Sequence, residues 1–135
     1  MKRILFLLVS FFLFNSCSPE DGPNYSYELR PIVSVDIPSE FTLGGVYTIT
    51  LHYNRPTTCH YYNAISYHKY LNERTIAVET AKEERNDCTA TPNDVSTCSF
   101  DFQVTSNGSY VFKFWQGKDE QGNDIYLEYE IPVLE

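Results

Sequence analysis

Three histidines, four cysteines and 18 acidic residues are the groups in this 135-residue chain that could carry chemistry. Nucleophilic catalysis needs a hydroxyl or thiol, a base and an orienting acid within hydrogen-bond reach. His52, His60 and His68 could supply the base, but the chain has no nucleophile elbow, no HExxH motif and no phosphate-cradling glycine loop. His52 falls on the polar side of an alternating segment, and the other two flank an aromatic one. No pair of carboxylates stands out for glycoside cleavage. A zinc site from His60 and the cysteines at 59, 88 and 98 would lack CxxC or HxxxH spacing. The run KDEQGND offers Asp119, Glu120, Asn123 and Asp124 around Gly122, oxygen ligands of the kind calcium takes, without EF-hand spacing. Acidic hairpin turns have the same composition. The expectation is a non-enzyme with no catalytic residue, no cofactor and no assigned metal.

Aromatic side chains are the second chemical resource. The chain has 11 tyrosines and one tryptophan. Tyr61, Tyr62, Tyr67 and Tyr70 crowd one segment, and Trp115 has the opposite parity to Phe112 and Phe114. A half-wet ring combines an apolar face with a polar handle, which suits sugar or peptide surfaces. Tyrosine is also simply favoured in strands. These five residues are therefore the ligand-contact candidates, set against a purely structural use.

Cysteine parity narrows the redox chemistry. In CSFDFQV, Cys98, Phe100, Phe102 and Val104 share one strand face, so Cys98 reads as a small core residue. Cys59 follows Pro56-Thr57-Thr58, and Cys88 lies in the polar stretch RNDCTATPND. Three pairings are open; Cys59–Cys88 is the expected disulfide. In the chain-entropy model such a loop stabilises by about 3–4 kcal/mol.

The elements that must position these groups alternate with period two. PIVSVDI puts Val33, Val35 and Ile37 on one side. GGVYTITLHY groups Tyr47, Ile49, Leu51 and Tyr53, with His52 and the threonines opposite. CHYYNAISYHKY is aromatic but alternates poorly. Residues 74–85 suit strand or helix; Ile76 and Val78 favour a strand. STCSFDFQV turns at Thr105-Ser106-Asn107-Gly108 into SYVFKFW, which turns at GKDEQGND into IYLEYEIPV. Tyr110, Phe112 and Phe114 face one way, as do Ile125, Leu127, Tyr129, Ile131 and Val133. About seven short strands with one wet face each predict an all-β, antiparallel two-sheet sandwich over residues 31–135.

SNGSYVFKFWQGKDEQGND resembles the penultimate hairpin of immunoglobulin-like and PKD-like bacterial domains, across roughly residues 95–134. The resemblance implies an immunoglobulin-like sandwich with Tyr110 at the tyrosine-corner position, its hydroxyl bonded to backbone at the preceding turn. Phe112 stands where an immunoglobulin domain carries its second disulfide cysteine, so the core is packed without that bridge. The stretch from Tyr47 to Cys88 is also similar to small uncharacterised lipoproteins of marine and soil flavobacteria, a likeness that implies no activity.

The first sixteen residues have the three parts of a secretory signal: Lys2 and Arg3, the apolar run Ile4 to Phe14, then Asn15 and Ser16. Eleven residues fall short of the roughly 20 that span a bilayer as a helix. FNSC resembles a relaxed lipobox of bacterial lipoproteins. That implies cleavage before Cys17, a diacylated Cys17 thiol and an acylated new amino terminus, with two or more chains giving a stable anchor. Ser18, Pro19, Glu20 and Asp21 resemble the Ser-plus-acid export signal of surface lipoproteins in the Bacteroidota, which implies display on the outer face of the outer membrane. Residues 17–30 then read as the lipidated cysteine and a flexible spacer. Loss of Lys2 and Arg3 with the first sixteen residues takes the net charge from −8 to −10. That balance argues against nucleic acid, whose phosphates need Lys and Arg. The functional expectation is a membrane-anchored cell-envelope lipoprotein with a binding or scaffold role beside an outer-membrane complex, its partner an envelope protein or glycan. A carbohydrate-contacting module built on the exposed aromatics is the alternative, and an enzyme ranks behind both.

Overall fold

The computed structural model describes residues 22–135. Cys17, its flanking acids and the apolar leader lie outside them. Among the described residues no helix is long and apolar enough to cross a membrane.

The described chain forms nine strands: β1 (Tyr25–Arg30), β2 (Ile32–Asp36), β3 (Phe41–Thr42), β4 (Val46–Asn54), β5 (His60–Tyr70), β6 (Glu73–Glu83), β7 (Val95–Gln103), β8 (Gly108–Lys118) and β9 (Asp124–Leu134). They make two sheets. A three-stranded sheet has the order β2-β4-β7; a six-stranded one runs β1-β6-β8-β9-β3, with β5 also paired to β6. The two-sheet, all-β expectation holds, with nine strands in place of about seven. Residues 73–83 settle as a strand. Tyr25–Arg30, within the expected flexible spacer, is an ordered strand paired with β6 from Tyr25↔Glu83 to Arg30↔Val78. Its alternating YSYEL pattern puts Tyr25, Tyr27 and Leu29 on the exposed face, and Glu28 and Arg30 turn inward.

Pairing also departs from a purely antiparallel sandwich. β6 runs parallel to β8 over Glu73↔Val111 to Ile76↔Phe114, and β3 parallel to β9. β1 and β8 share one edge of β6, each taking a different length of it. Between them the chain leaves β1 through Pro31, which has no N–H to donate, and enters the other sheet at Ile32. Gln116 Nε2 donates to the Ile32 carbonyl at 3.2 Å. Gly117, at φ +117° in a bulge of β8, faces the Pro31 ring; a side chain there would be strained.

The core is an aromatic slab between the sheets. Phe41, Phe112, Phe114 and Tyr110 are almost wholly buried, with Phe102 5% exposed. Phe102 packs edge-on against Tyr110 and Phe112 at 5.0 and 5.1 Å between ring centroids. Each such side chain contributes about 1.5–3 kcal/mol of burial, with tilted ring pairs adding to it. Tyr47, Ile49, Leu51 and Tyr53 face this slab as their parity requires. In β2 the register shifts between Ile32 and Ser34, so Ile32 is buried and Val33 is 42% exposed, the reverse of simple alternation. Ile125 is likewise turned out, because it pairs with Gly117 beyond the β8 bulge.

Tyr110 Oη accepts the backbone N–H of Thr105 at 3.2 Å and of Ser106 at 3.0 Å, closing the β7–β8 turn from the inside. Tyr110→Phe keeps the ring and orphans both donors. The expected loss is about 1–3 kcal/mol, read as a lower urea midpoint at unchanged slope; an unchanged midpoint would count against a holding role.

Candidate functional site

Register places side chains on the outer, uncovered face of the six-stranded sheet. Along β6, Arg74, Ile76, Val78 and Thr80 point to the core, so Thr75, Ala77, Glu79 and Ala81 point away. Tyr27 and Tyr61 both pair with Ala81, which puts two exposed rings at one level of that face. Tyr25 lies one step along β1 and Leu29 one step the other way, 45% and 40% exposed. Beyond Leu29 the surface dips into a groove of about 290 Å³. Leu29, Trp115 and Tyr126 give it apolar walls. Ser66, His68, Thr75, Lys118 and Asp124 give it polar ones, and Ala77 keeps it open between them.

Trp115 is held by Asp124. Its Nε1 donates to Asp124 Oδ1 at 2.9 Å, and Lys118 Nζ donates to the same oxygen at 2.7 Å. Lys118 first, and then Trp115, hold the Asp124 carboxyl below its usual range. An indole fixed by its own hydrogen bond offers a ring face at little cost in side-chain entropy. A flat apolar face bordered by hydroxyl, imidazole, ammonium and carboxylate groups can stack a sugar ring and bond its hydroxyls.

The sequence-derived aromatics divide. Trp115 and Tyr61 are on this outer face. Tyr70 shares its parity at the exposed tip of the β5–β6 hairpin. Tyr62 and Tyr67 turn the other way, toward the open side of the sandwich, and Tyr67 meets Phe100 edge-on at 5.7 Å. Alternation separates Tyr61 from Tyr62, and a bulge between Tyr62 and Ala64 then exchanges the faces of Tyr67 and Tyr70, which spacing alone does not show. Tyr25, Tyr27, Leu29 and Tyr126 join the surface without having been singled out, although the alternation of YSYEL carried the signal for the first three.

The calcium-type residues serve a turn. Asp119 Oδ1 accepts the N–H of Gln121 at 2.9 Å and of Asn123 at 2.8 Å, and Asn123 Nδ2 donates to both Asp119 oxygens. These bonds, led by Asn123, lower its carboxyl. Asp124 is engaged by Lys118 on the groove side, and Glu120 is exposed.

The histidines occupy three separate places. His52 bonds Asp36 at 2.8 Å, tying β2 to β4. His68 lines the groove. His60, 3% exposed, lies between Thr57 Oγ1 at 2.7 Å from Nδ1 and Glu28 Oε1 at 2.5 Å from Nε2. Hydroxyl, imidazole and carboxylate stand here in the order of a catalytic triad. Yet Thr57 Oγ1 also accepts the Cys59 N–H at 3.2 Å, and the set lines neither this groove nor a second cleft, beside Ile65, Tyr67 and Phe100. The set pins β1 to the start of β5.

Cys59 and Cys88 form a disulfide, with Cα atoms 5.5 Å apart. Asp87 lies close enough to complete a three-ligand metal cluster, but both sulfurs are committed to each other. Cys98 is the free thiol among the described residues and packs against the core, as its parity requires. Comparison with known proteins finds no matching family model, no matching curated protein and no matching solved structure.

Burial pushes the Cys98 thiol up from an ordinary 9.0 to about 11. At pH 8 its thiolate fraction is then about 100-fold below that of the unfolded chain, so iodoacetamide should label it slowly in buffer and fast in urea. Because the folded value is the raised one, stability falls as pH rises from about 9 to about 11. Equal labelling rates in the two conditions would contradict this burial.

Proposed function

We propose that this is a lipid-anchored cell-envelope protein of the Bacteroidota type, with an immunoglobulin-like sandwich that binds a glycan on the outer face of its larger sheet. The groove beside Trp115 carries the reading, because it joins a fixed ring face to polar groups on four strands. The anchor rests on FNSC and the apolar run before it. With β1 beginning at Tyr25, only residues 18–24 separate Cys17 from the folded domain. Seven residues reach about 25 Å at full extension. The tether is therefore short, and the domain stays beside the bilayer in any orientation. A net charge of −10 gives it no attraction to anionic headgroups, so the acyl chains do the holding.

The immunoglobulin-like reading is supported by β7, β8 and β9 and by the bonding of the Tyr110 hydroxyl. The parallel β6–β8 pair departs from the all-antiparallel immunoglobulin pattern, so the domain is a variant of that sandwich. A second reading, docking to an outer-membrane protein complex as an accessory, is favoured by the β5–β6 tip. There Tyr70 is 65% and Leu71 76% exposed, and Leu71 takes φ 51°, a conformation that costs a branched apolar residue energy.

Cys17→Ala should move the protein from the membrane pellet to the soluble fraction and remove the acyl mass from its intact mass spectrum; an unmodified wild-type chain would sink the anchor. On a glycan array, the wild-type chain should bind a restricted set of sugars. Trp115→Ala should weaken that binding about tenfold or more, equivalent to ~1.4 kcal/mol. Binding to no glycan, with retention of an outer-membrane protein that Leu71→Asp releases, would favour the accessory reading instead.

A further inference from the structure

The opposite side of the six-stranded sheet holds a cation with no counter-ion. Arg74 projects from β6 into the sandwich and is 3% exposed. Its Nη1 donates to the carbonyls of Leu71 at 2.9 Å and Glu73 at 2.7 Å, and its Nε has no partner. Its guanidinium carbon lies 5.0 Å from the Tyr110 ring centroid and 5.8 Å from that of Phe102. Among the described residues no carboxylate forms an ion pair with it. The Glu73 carboxylate goes to Lys113 at 2.8 Å, and Asp101 accepts from Thr48 at 2.6 Å. A buried charge without a partner is costly, and aromatic faces compensate it only in part.

Arg74 forms part of the wall of a cleft of about 480 Å³, which opens between β5 and β7. Both strands are sheet edges, each paired on one side only. Ile65, Tyr67, Phe100 and Phe102 make the cleft largely apolar, and Lys69 adds a second cation at its mouth. The β7 edge from Phe100 to Gln103 leaves backbone donors and acceptors along one wall. The volume lies within the roughly 300–1,000 Å³ of small-molecule sites.

We infer that the cleft between β5 and β7 is a second ligand site, which takes an organic carboxylate with an apolar body and sets the carboxylate against Arg74 and Lys69. A guanidinium supplies paired donors that match the two carboxylate oxygens, which an ammonium cannot do. The apolar body replaces water against Tyr67 and Phe100. The site does not involve the outer-face groove, so it stands or falls separately from glycan binding and from the anchor.

The test is a titration of the full-length chain in detergent with 3-phenylpropionate and, separately, with its amide. The reporters are the Arg74 Nε–H and Tyr67 ring resonances. The carboxylate should bind saturably and move both; the amide should bind about tenfold or more weakly. Lys69→Glu, at an exposed position, should weaken the carboxylate several-fold and leave the amide unchanged. Arg74→Gln should abolish the preference for carboxylate over amide, and if that variant does not fold, Lys69→Glu alone decides. Equal binding of acid and amide, an unmoved Arg74 resonance or indifference to Lys69→Glu would each overturn the assignment.

Discussion

A sheet of six strands cannot be fully covered by a sheet of three. That mismatch governs the rest of this molecule. Where the two sheets oppose each other, the facing residues are Phe41, Ile49, Leu51, Phe102, Phe112 and Phe114, and water is excluded. Toward β1 and β5, the inward positions carry Glu28, Arg30, His60, Arg74 and Thr80 instead. Most of those polar atoms bond one another or the backbone, because a buried polar atom without a partner is expensive; the Nε atoms of Arg30 and Arg74 are the exceptions among the described residues. The Glu28–His60–Thr57 chain is one result, and the Arg74 contacts with the hairpin tip are another. The sandwich is sealed by rings along its centre, held by hydrogen bonds toward β1, and left open between the β5 and β7 edges.

β6 is the strand through which this arrangement is organised. It lends one edge to β5 along its whole length and divides the other between β1 and β8. The division obliges β1 to end at Arg30 and cross to the smaller sheet through Pro31. The crossing brings Gln116 and Gly117 against the β1–β2 link. Leu29, just before that crossing, and Trp115, just before the β8 bulge, then follow one another along the same edge of β6, and both line the groove with Ala77. A packing requirement at the strand junction thus shapes the surface to which a binding role is assigned. The disulfide acts at a different place, fastening the loop after β6 to the start of β5, where no sheet partner lies beyond.

Charge and aromatic surface have separate jobs. An acidic balance opposes association with anionic lipid or nucleic acid, and the exposed rings on the outer sheet are the surface proposed to bind. Asp124 joins the two, since one carboxylate oxygen neutralises Lys118 and also fixes the indole of Trp115.

Period-two parity was enough to read β4, β7, β8 and most of β9, because a strand with one covered face must alternate. It was enough as well to set Cys98 in the core and leave Cys59 and Cys88 to each other. The proposed leader and anchor rest on sequence alone, because residues 1–21 lie outside the described structure. What alternation could not fix were the breaks in it: the β2 register shift that exchanges Ile32 with Val33, and the bulge that sends Tyr67 away from Tyr61 and brings Tyr70 to its face. It also could not show that β6 lies beside β8, because strand adjacency between distant segments depends on which edges remain free once the hairpins have formed. The buried arginine, set against the Tyr110 ring of β8, follows from that adjacency, and the triad-like set follows from β1 and β5 both pairing with β6. Both sites were therefore decided by tertiary structure: each depends on which strand becomes the neighbour of β6, and no local pattern encodes that choice.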